Sequence, residues 1–368
     1  MIIGVDGNEA NVENRVGVSV YTYNLLKYFA SHATDKTRFV VYLRHAPATD
    51  MPEENEFYTY QHVKGVAAWS QIFLPLHLYT HRKPDVFFAP AHYIPRMCPI
   101  PVVVTIHDLA YYYYPDEFLK KDLYKLRHWT AYAVSKARKI IAVSKTTKKD
   151  IIRHFNLSDE MVDVIYNGYE KEIREDQHVS LADIDSTIEA DLYFLYVGTL
   201  QPRKNILTLM HAFKTFSTKH PEYKLVIAGK KGWMYQDVFE LRSDLDLRDQ
   251  VIFTGFIPDS AVNTLYTHAK SFIMPSRYEG FGIPILEAMS HGCPVISSTS
   301  SSLPEIGGDA CLYFDPDNTT ELAEKMEMII IDPDLRESLI GEGKQRISQF
   351  SWKNCAAETL KALQQSIL

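Results

Sequence analysis

Glu279 and Glu287 stand eight residues apart, with Gly280 and Gly282 between them and Ile283-Pro284 at the centre of the stretch. The apolar residues 271–274 come just before and read as a buried strand. The helical pattern Ile285, Leu286, Ala288 and Met289 follows and stops at Gly292. Proline suits the first helical turn, where its missing N–H costs nothing, and glycine suits the C-terminal side. The stretch therefore predicts strand, glycine loop and helix N-terminus. Backbone N–H groups and the positive end of the helix dipole then converge on one place, as an anion requires. Carboxylates would repel a phosphate there. They make chemical sense as hydrogen-bond acceptors for hydroxyls while the backbone holds the phosphates. A diphosphate between two polyhydroxy groups, that is, a nucleoside-diphosphate sugar, satisfies both demands. The competing reading is an ordinary strand-to-helix turn with solvated glutamates, and spacing alone does not separate the two.

The run from Glu279 through Gly280, Phe281, Gly282, Ile283, Pro284, Ile285 and Leu286 to Glu287 resembles the E-x7-E signature of the retaining family-4 glycosyltransferases of the GT-B fold. The resemblance implies that Glu279 contacts the transferred sugar and Glu287 the ribose. It places the backbone of Gly280, Phe281, Gly282 and Ile283 at the sugar and diphosphate. The segment Gly198-Thr199-Leu200-Gln201-Pro202-Arg203-Lys204-Asn205 is similar to a second turn of that family. On chemistry alone, Arg203 can fork across two diphosphate oxygens and Lys204 can add a point charge. A solvated cation pair at a helix start is the rival, and the helix dipole disfavours it. Many relatives carry an arginine directly after the glycine, where this chain has Thr199; Arg203 is the candidate replacement.

His107-Asp108 follows a short apolar run, residues 102–106, and residues just past the carboxyl end of a parallel strand face the ligand crevice. Such a pair can be catalytic, can bind sugar hydroxyls, or can simply cap a turn. The resemblance implies that His107 contacts the donor sugar and that Asp108 orients the loop. Gly17 sits at a helix start after a polar loop, where a backbone must approach something closely. In the family this loop faces the donor diphosphate and the acceptor. It usually holds adjacent glycines, whereas here Val18-Ser19 follow, so a structural turn glycine is the rival. Phe256-Ile257 follow the strand 251–253 and resemble the residues that frame the nucleobase.

The elements that must position these residues alternate along the chain. Residues 2–6, 39–43, 86–89, 102–106, 140–143 and 162–166 read as buried strands, and 57–63 as an edge strand. Helical stripes lie between them, including a short amphipathic helix at 71–79 and a basic helix at 145–155 with Ser144 as its N-cap. Strands alternating with helices imply parallel sheets covered on both faces. The alternation pauses at the charged stretch 171–190 and restarts at residue 192. We therefore expect an α/β chain of GT-B class, with two doubly wound Rossmann-like domains facing each other across a cleft. Residues 1–170 form an acceptor-binding domain, 171–190 a linker and 191–351 a nucleotide-sugar-binding domain. The last helix, residues 352–368, crosses back to the first domain.

The chain has 368 residues, 46% hydrophobic and 23% charged, which suits two globular domains rather than disorder. Net charge of −7 gives no bulk electrostatic case for nucleic acid. The N-terminus lacks the basic region of a signal peptide, and no apolar run reaches the ~18 residues of a membrane span. Cys98, Cys293, Cys311 and Cys355 form no CxxC pair, as suits a reducing cytoplasm. Asp183-Ile184-Asp185 is formally the metal motif of the other glycosyltransferase fold, but no apolar strand precedes it, so no catalytic metal and no cofactor are expected. The aromatic and basic stretch 111–129 is a candidate peripheral membrane contact, against an ordinary solvated amphipathic helix.

The expected reaction is transfer of a hexose to a hydroxyl of a saccharide or lipid-linked acceptor. Mannose from GDP-mannose is the first expectation and glucose from UDP-glucose the second. Arg203, Lys204, Glu279 and His107 are the residues on which catalysis would rest. A sugar-nucleotide epimerase and a non-catalytic nucleotide-sugar-binding protein are the alternatives. A dinucleotide oxidoreductase fits least, because no G-x-G-x-x-G follows the first strand.

Overall fold

The computed structural model describes residues 1–66, 68–170 and 179–367. The first eight residues of the expected linker, 171–178, lie outside the described residues. The chain divides into two compact units. One holds residues 1–113, 120–168 and 350–368; the other holds 114–119 and 169–349.

The first unit is built on seven parallel strands: β1 (Ile2–Asp6), β2 (Arg38–Leu43), β3 (Tyr58–His62), β4 (Val86–Ala89), β5 (Val102–Ile106), β6 (Lys139–Ala142) and β7 (Val162–Val164). Their order is β3-β2-β1-β4-β5-β6-β7. In register, Gly4 lies between Val40 on one side and Phe87 on the other. The strands are near-continuous apolar runs because helices cover both faces. Helix Val18–Ser31 turns Tyr21, Leu25, Leu26 and Phe29 into the core, where the Phe29 and Phe39 rings stack 4.8 Å apart. Helix Trp352–Gln365 buries Trp352, Cys355, Ala356 and Leu363 in the same core. Helix Lys145–Phe155 begins at Ser144, whose hydroxyl accepts from the Thr147 N–H. The helix expected at 71–79 runs Phe73–Thr80 and is apolar on both faces rather than amphipathic: Leu74 and Leu78 are buried while Leu76 and Tyr79 are exposed.

The second unit carries six parallel strands: β8 (Tyr193–Val197), β9 (Lys224–Ala228), β10 (Val251–Gly255), β11 (Ser271–Met274), β12 (Val295–Ser298) and β13 (Cys311–Phe314), in the order β10-β9-β8-β11-β12-β13. Its core gathers Phe194, Tyr196, Phe213, Ile227, Ile273, Ile296 and Met326. The Asp183-Ile184-Asp185 run lies in and after a single helical turn. Asp183 closes a capping box with Ser180, and Asp185 accepts from the backbone and hydroxyl of Thr187. No helix of the described residues is long and apolar enough to cross a membrane.

Candidate functional site

In a doubly wound sheet the ligand crevice opens at the carboxyl ends of the strands, where the strand order reverses. In the second unit that point lies between β8 and β11. The turn after β8 carries Arg203 and Lys204; the loop after β11 carries Glu279, Gly280 and Gly282. Backbone and side chain lock the two loops together. Arg277 N–H donates to the Arg203 carbonyl at 2.8 Å. Asn205, in left-handed conformation, donates through Nδ2 to the carbonyls of Pro275 (3.1 Å) and Pro316 (2.8 Å), and its Oδ1 accepts from Thr208.

Inside this frame three side chains meet. Lys204 Nζ lies 2.5 Å from Glu279 Oε1, and an Arg203 guanidinium nitrogen lies 3.2 Å from Glu279 Oε2. The same arginine nitrogen donates to the Tyr278 carbonyl at 2.9 Å. Burial alone would raise the Glu279 carboxyl; the two cations and the hydrogen bond from Lys204 outweigh it and hold the group at about 2. Glu279 is therefore an anion, and the cluster keeps one net positive charge next to a helix start. That helix, Ile283–Ser290, has Pro284 in its first turn and no side chain capping its N-terminus. Gly282 caps it at φ 113°, and a Cβ there would meet Leu303 Cδ2 at 2.9 Å, so only glycine lets the loop enter the helix this way. Ser301 and Ser302 support the loop from behind. Ser301 Oγ accepts from the Glu279 N–H at 2.8 Å, and Ser302 Oγ lies 2.8 and 2.9 Å from the carbonyls of Glu279 and Phe281.

Glu287, half-buried one turn into the helix, sits in different surroundings. Its Oε2 accepts from the Tyr266 hydroxyl at 3.0 Å. Burial pushes its carboxyl up to about 7; the tyrosine hydrogen bond opposes this and nearby Asp259 adds to it. The two glutamates of the signature are thus electrostatic opposites, one held ionised by cations and one poised to titrate near neutrality. Phe256 follows β10 and is 64% exposed. Gly198 follows β8, and its N–H donates to the Ala228 carbonyl at 2.9 Å.

In the first unit the order reverses between β1 and β4. Gly17 opens helix Val18–Ser31 at φ 54° and ψ −111°, with open space around the position a Cβ would take. Backbone conformation, not crowding, requires glycine here. His107 follows β5, and its Nε2 lies 2.7 Å from the Pro90 carbonyl. A carbonyl only accepts, so Nε2 carries the proton and Nδ1 the lone pair. Burial, then neighbouring His92, lower the imidazole to about 4 against the opposing pull of the Pro90 carbonyl and Asp108. His107 is neutral at pH 7 and offers an acceptor. Asp108 accepts from the Ala110 N–H at 3.0 Å and so shapes the loop. Asp6, at the carboxyl end of β1, is held by the backbone N–H and side-chain amide of Asn8. Burial raises its carboxyl despite those bonds.

Sequence reasoning did not single out Asp6, Asn205, Ser301 or Glu117. An acid closing an apolar strand was the visible signal for Asp6. For Glu117 there was none: the 111–129 stretch reads as one surface segment, but residues 114–119 pack with the second unit. There Trp233 Nε1 donates to the Glu117 carbonyl at 2.5 Å, and the Tyr114 and Tyr278 rings lie 6.4 Å apart. Glu117 Oε2 is buried with no hydrogen-bond partner among the described residues. Burial raises this carboxyl, opposed by Arg277 and then Arg203.

Comparison with known proteins agrees with this architecture. Residues 183–346 match the model of the glycosyl transferases group 1, and residues 16–172 match that of glycosyltransferase family 4. The chain is 31% identical over 283 residues to O-antigen chain mannosyltransferase B of Escherichia coli, covering 76% of this chain and 74% of that one. It is 32% identical over 215 residues to O-antigen chain mannosyltransferase RfbU of Salmonella typhimurium (strain LT2), covering 58% and 57%. Among solved structures, sucrose-phosphate synthase from Thermosynechococcus elongatus superposes with a TM-score of 0.75 at 18% identity, covering 99% of this chain and 98% of that one. The fold is GT-B.

Proposed function

Since the chain belongs to the family-4 (group 1) glycosyltransferases of the GT-B fold, we propose that it transfers mannose from GDP-mannose to a hydroxyl of a saccharide or lipid-linked acceptor in cell-surface polysaccharide synthesis. The resemblance to two O-antigen mannosyltransferases favours mannose over glucose. The observation that carries the donor site is the cluster of Arg203, Lys204 and Glu279 at the strand-order reversal of the second sheet.

In this reading Arg203, Lys204 and the helix start at Ile283 stabilise the negative charge that grows on the departing diphosphate. Glu279 keeps the two cations aimed and, with the backbone from Gly280 to Ile283, positions the hexose. Glu287 accepts a ribose hydroxyl, and Phe256-Ile257 frame the base. Gly17 lets backbone approach the diphosphate, and the Nδ1 lone pair of His107 receives a hexose hydroxyl. Transfer proceeds with retention, and the leaving diphosphate takes the acceptor proton. The cations supply the charge that a metal would otherwise bring, so the reaction is metal-independent. The domain roles follow: residues 1–170 with 352–368 bind acceptor, 191–351 bind donor, and 171–190 link them. In this reading the protein is cytoplasmic, with the inner face of the cell membrane as a candidate peripheral contact.

The test is calorimetric titration with GDP, UDP, ADP and TDP, with and without EDTA, followed by turnover of GDP-[14C]mannose. Tight binding of GDP that EDTA leaves unchanged and Glu287→Ala weakens supports the donor site. Tight UDP binding redirects the donor to UDP-glucose. Isomerised nucleotide sugar without acceptor would make the chain an epimerase, and failure to bind any diphosphate removes the reading.

A further inference from the structure

The second unit holds a cavity of about 620 Å³ at the end of its sheet away from the donor loops. Lys224 opens β9, Arg248 and Asp249 come just before β10, and Asp185 and Thr187 come before β8; all five line the cavity. The six strands are parallel, so these residues gather at the amino ends. Arg203, Lys204 and Glu279 stand past the carboxyl ends of β8 and β11. The cavity is therefore no part of the donor crevice. Its volume suits a small molecule.

One wall is aromatic. Phe239 of helix Gln236–Asp244 and Phe253 of β10 stack with centroids 4.5 Å apart and planes 29° apart. The half-buried Arg242 guanidinium lies 5.6 Å over the Phe253 ring. One Arg242 nitrogen donates to the Arg248 carbonyl, and its Nε is buried with no hydrogen-bond partner among the described residues. Neither Arg242 nor the exposed Arg248 enters an ion pair among those residues. A guanidinium partly out of water and without a carboxylate is short of counter-charge. The third cation, Lys224, donates to the Thr187 carbonyl. Two acids complete the lining. Asp185 accepts from the N–H (2.8 Å) and hydroxyl (2.6 Å) of Thr187. Those bonds hold its carboxyl below the ordinary value, with burial opposing and Lys224 adding. Asp249 is exposed.

A bare anion would satisfy the arginines and be repelled by the carboxylates. A neutral polyol would satisfy the carboxylates and leave the arginines uncompensated. We infer that the cavity binds a phosphorylated sugar, at a site separate from the donor. The phosphate forks between Arg242 and Arg248, where guanidinium geometry matches its oxygens. The sugar hydroxyls donate to Asp185 and Asp249. The C–H face of the ring lies on the electron-rich faces of Phe239 and Phe253. The inference rests on the lining of this cavity and stands apart from the identity of the donor.

Calorimetric titration of the full chain with mannose 6-phosphate and glucose 6-phosphate tests it, with free mannose and inorganic phosphate as partial probes. At least one hexose phosphate should bind with a submillimolar Kd, and both partial probes should bind about tenfold more weakly or worse. Arg242→Ala with Arg248→Ala should weaken hexose phosphate binding by about tenfold or more, the scale of hydrogen bonds to charged groups. Arg242 also covers Phe253, so Arg248→Glu, at an exposed position, is the second variant. It should weaken binding by a similar factor with an unchanged circular dichroism melt. Both variants should leave GDP binding as it is in the wild type. The inference is overturned if neither hexose phosphate binds at millimolar concentration, or if Arg248→Glu and the double variant both bind like wild type. Inorganic phosphate binding as tightly as the sugar phosphates overturns it too, since the site would then read charge alone. Loss of binding in Arg203→Ala with Lys204→Ala, but not in the cavity variants, would place the ligand at the donor loops and overturn it equally.

Discussion

Lys204 Nζ sits 2.5 Å from Glu279 Oε1, across 75 residues of sequence, with both side chains nearly buried. Arg203 takes the other carboxylate oxygen. The carboxylate thus organises the cations before any diphosphate arrives. Removing it leaves two largely buried positive charges with one partner fewer.

Glu279→Gln should therefore destabilise the second unit by about 3 kcal/mol, the usual scale for breaking a buried pair. Lys204→Met should cost less, because Arg203 remains. Urea unfolding at pH 7 measures both. The sign with pH follows from a carboxyl held at about 2 against an ordinary 4.5. Its contribution is complete above 4.5 and is lost as pH falls toward 2. The wild-type advantage over Glu279→Gln should shrink across that window. An advantage unchanged between pH 5 and pH 3 would contradict the pairing.

Glu287 makes the opposite prediction. Its carboxyl is pushed up to about 7. The proton's contribution to stability is complete below 4.5 and lost as pH rises through 7. Glu287→Gln should accordingly be more stable than wild type at pH 8 and close to it at pH 5. A ribose hydroxyl donates best to the ionised form, so nucleotide binding should release protons and tighten as pH rises from 6 to 8. Calorimetry in buffers of different ionisation enthalpy reads the proton count. No proton release with wild-type protein would remove the ribose assignment.

His107 should show flat ring shifts in heteronuclear NMR from pH 8 to pH 5, because burial and neighbouring His92 keep it neutral down to about 4, and the Pro90 carbonyl should hold it in the tautomer with the proton on Nε2. Asn at this position retains an acceptor and should keep more activity than Ala. A ring that titrates near 6.5 would show that burial does not govern it.

Both sheets were legible in the sequence because parallel strands covered on two faces are uninterrupted apolar runs. β1, β4, β5 and β11 begin and end where the expected runs 2–6, 86–89, 102–106 and 271–274 do. The signature loop was legible through its glycines and Pro284, whose backbone demands are local. Partnership was not. Nothing in the spacing of Arg203, Lys204 and Glu279 says that the cations face the carboxylate, since the contact depends on β8 and β11 lying side by side. The helix expected at 71–79 to be amphipathic differs for a related reason: tertiary packing turns Leu74 and Leu78 inward and leaves Leu76 and Tyr79 exposed, so both faces are apolar.

Glu117 is expected to act in sugar rather than nucleotide recognition. Its buried Oε2 lacks a hydrogen-bond partner among the described residues, and burial raises its carboxyl, with Arg277 and then Arg203 opposing. A buried acceptor without a donor is costly, and a hexose hydroxyl would satisfy it. Glu117→Gln replaces part of that acceptor capacity with an amide donor while the backbone contact from Trp233 remains. Binding of the nucleoside diphosphate should be unchanged, while the nucleotide sugar should bind about fivefold to tenfold more weakly, the scale of one hydrogen bond. Paired titrations of GDP and GDP-mannose on the wild-type and variant chains measure the difference directly. Equal losses for both ligands would place Glu117 at the diphosphate instead, and no loss for either would leave its buried oxygen a structural feature of the 114–119 segment.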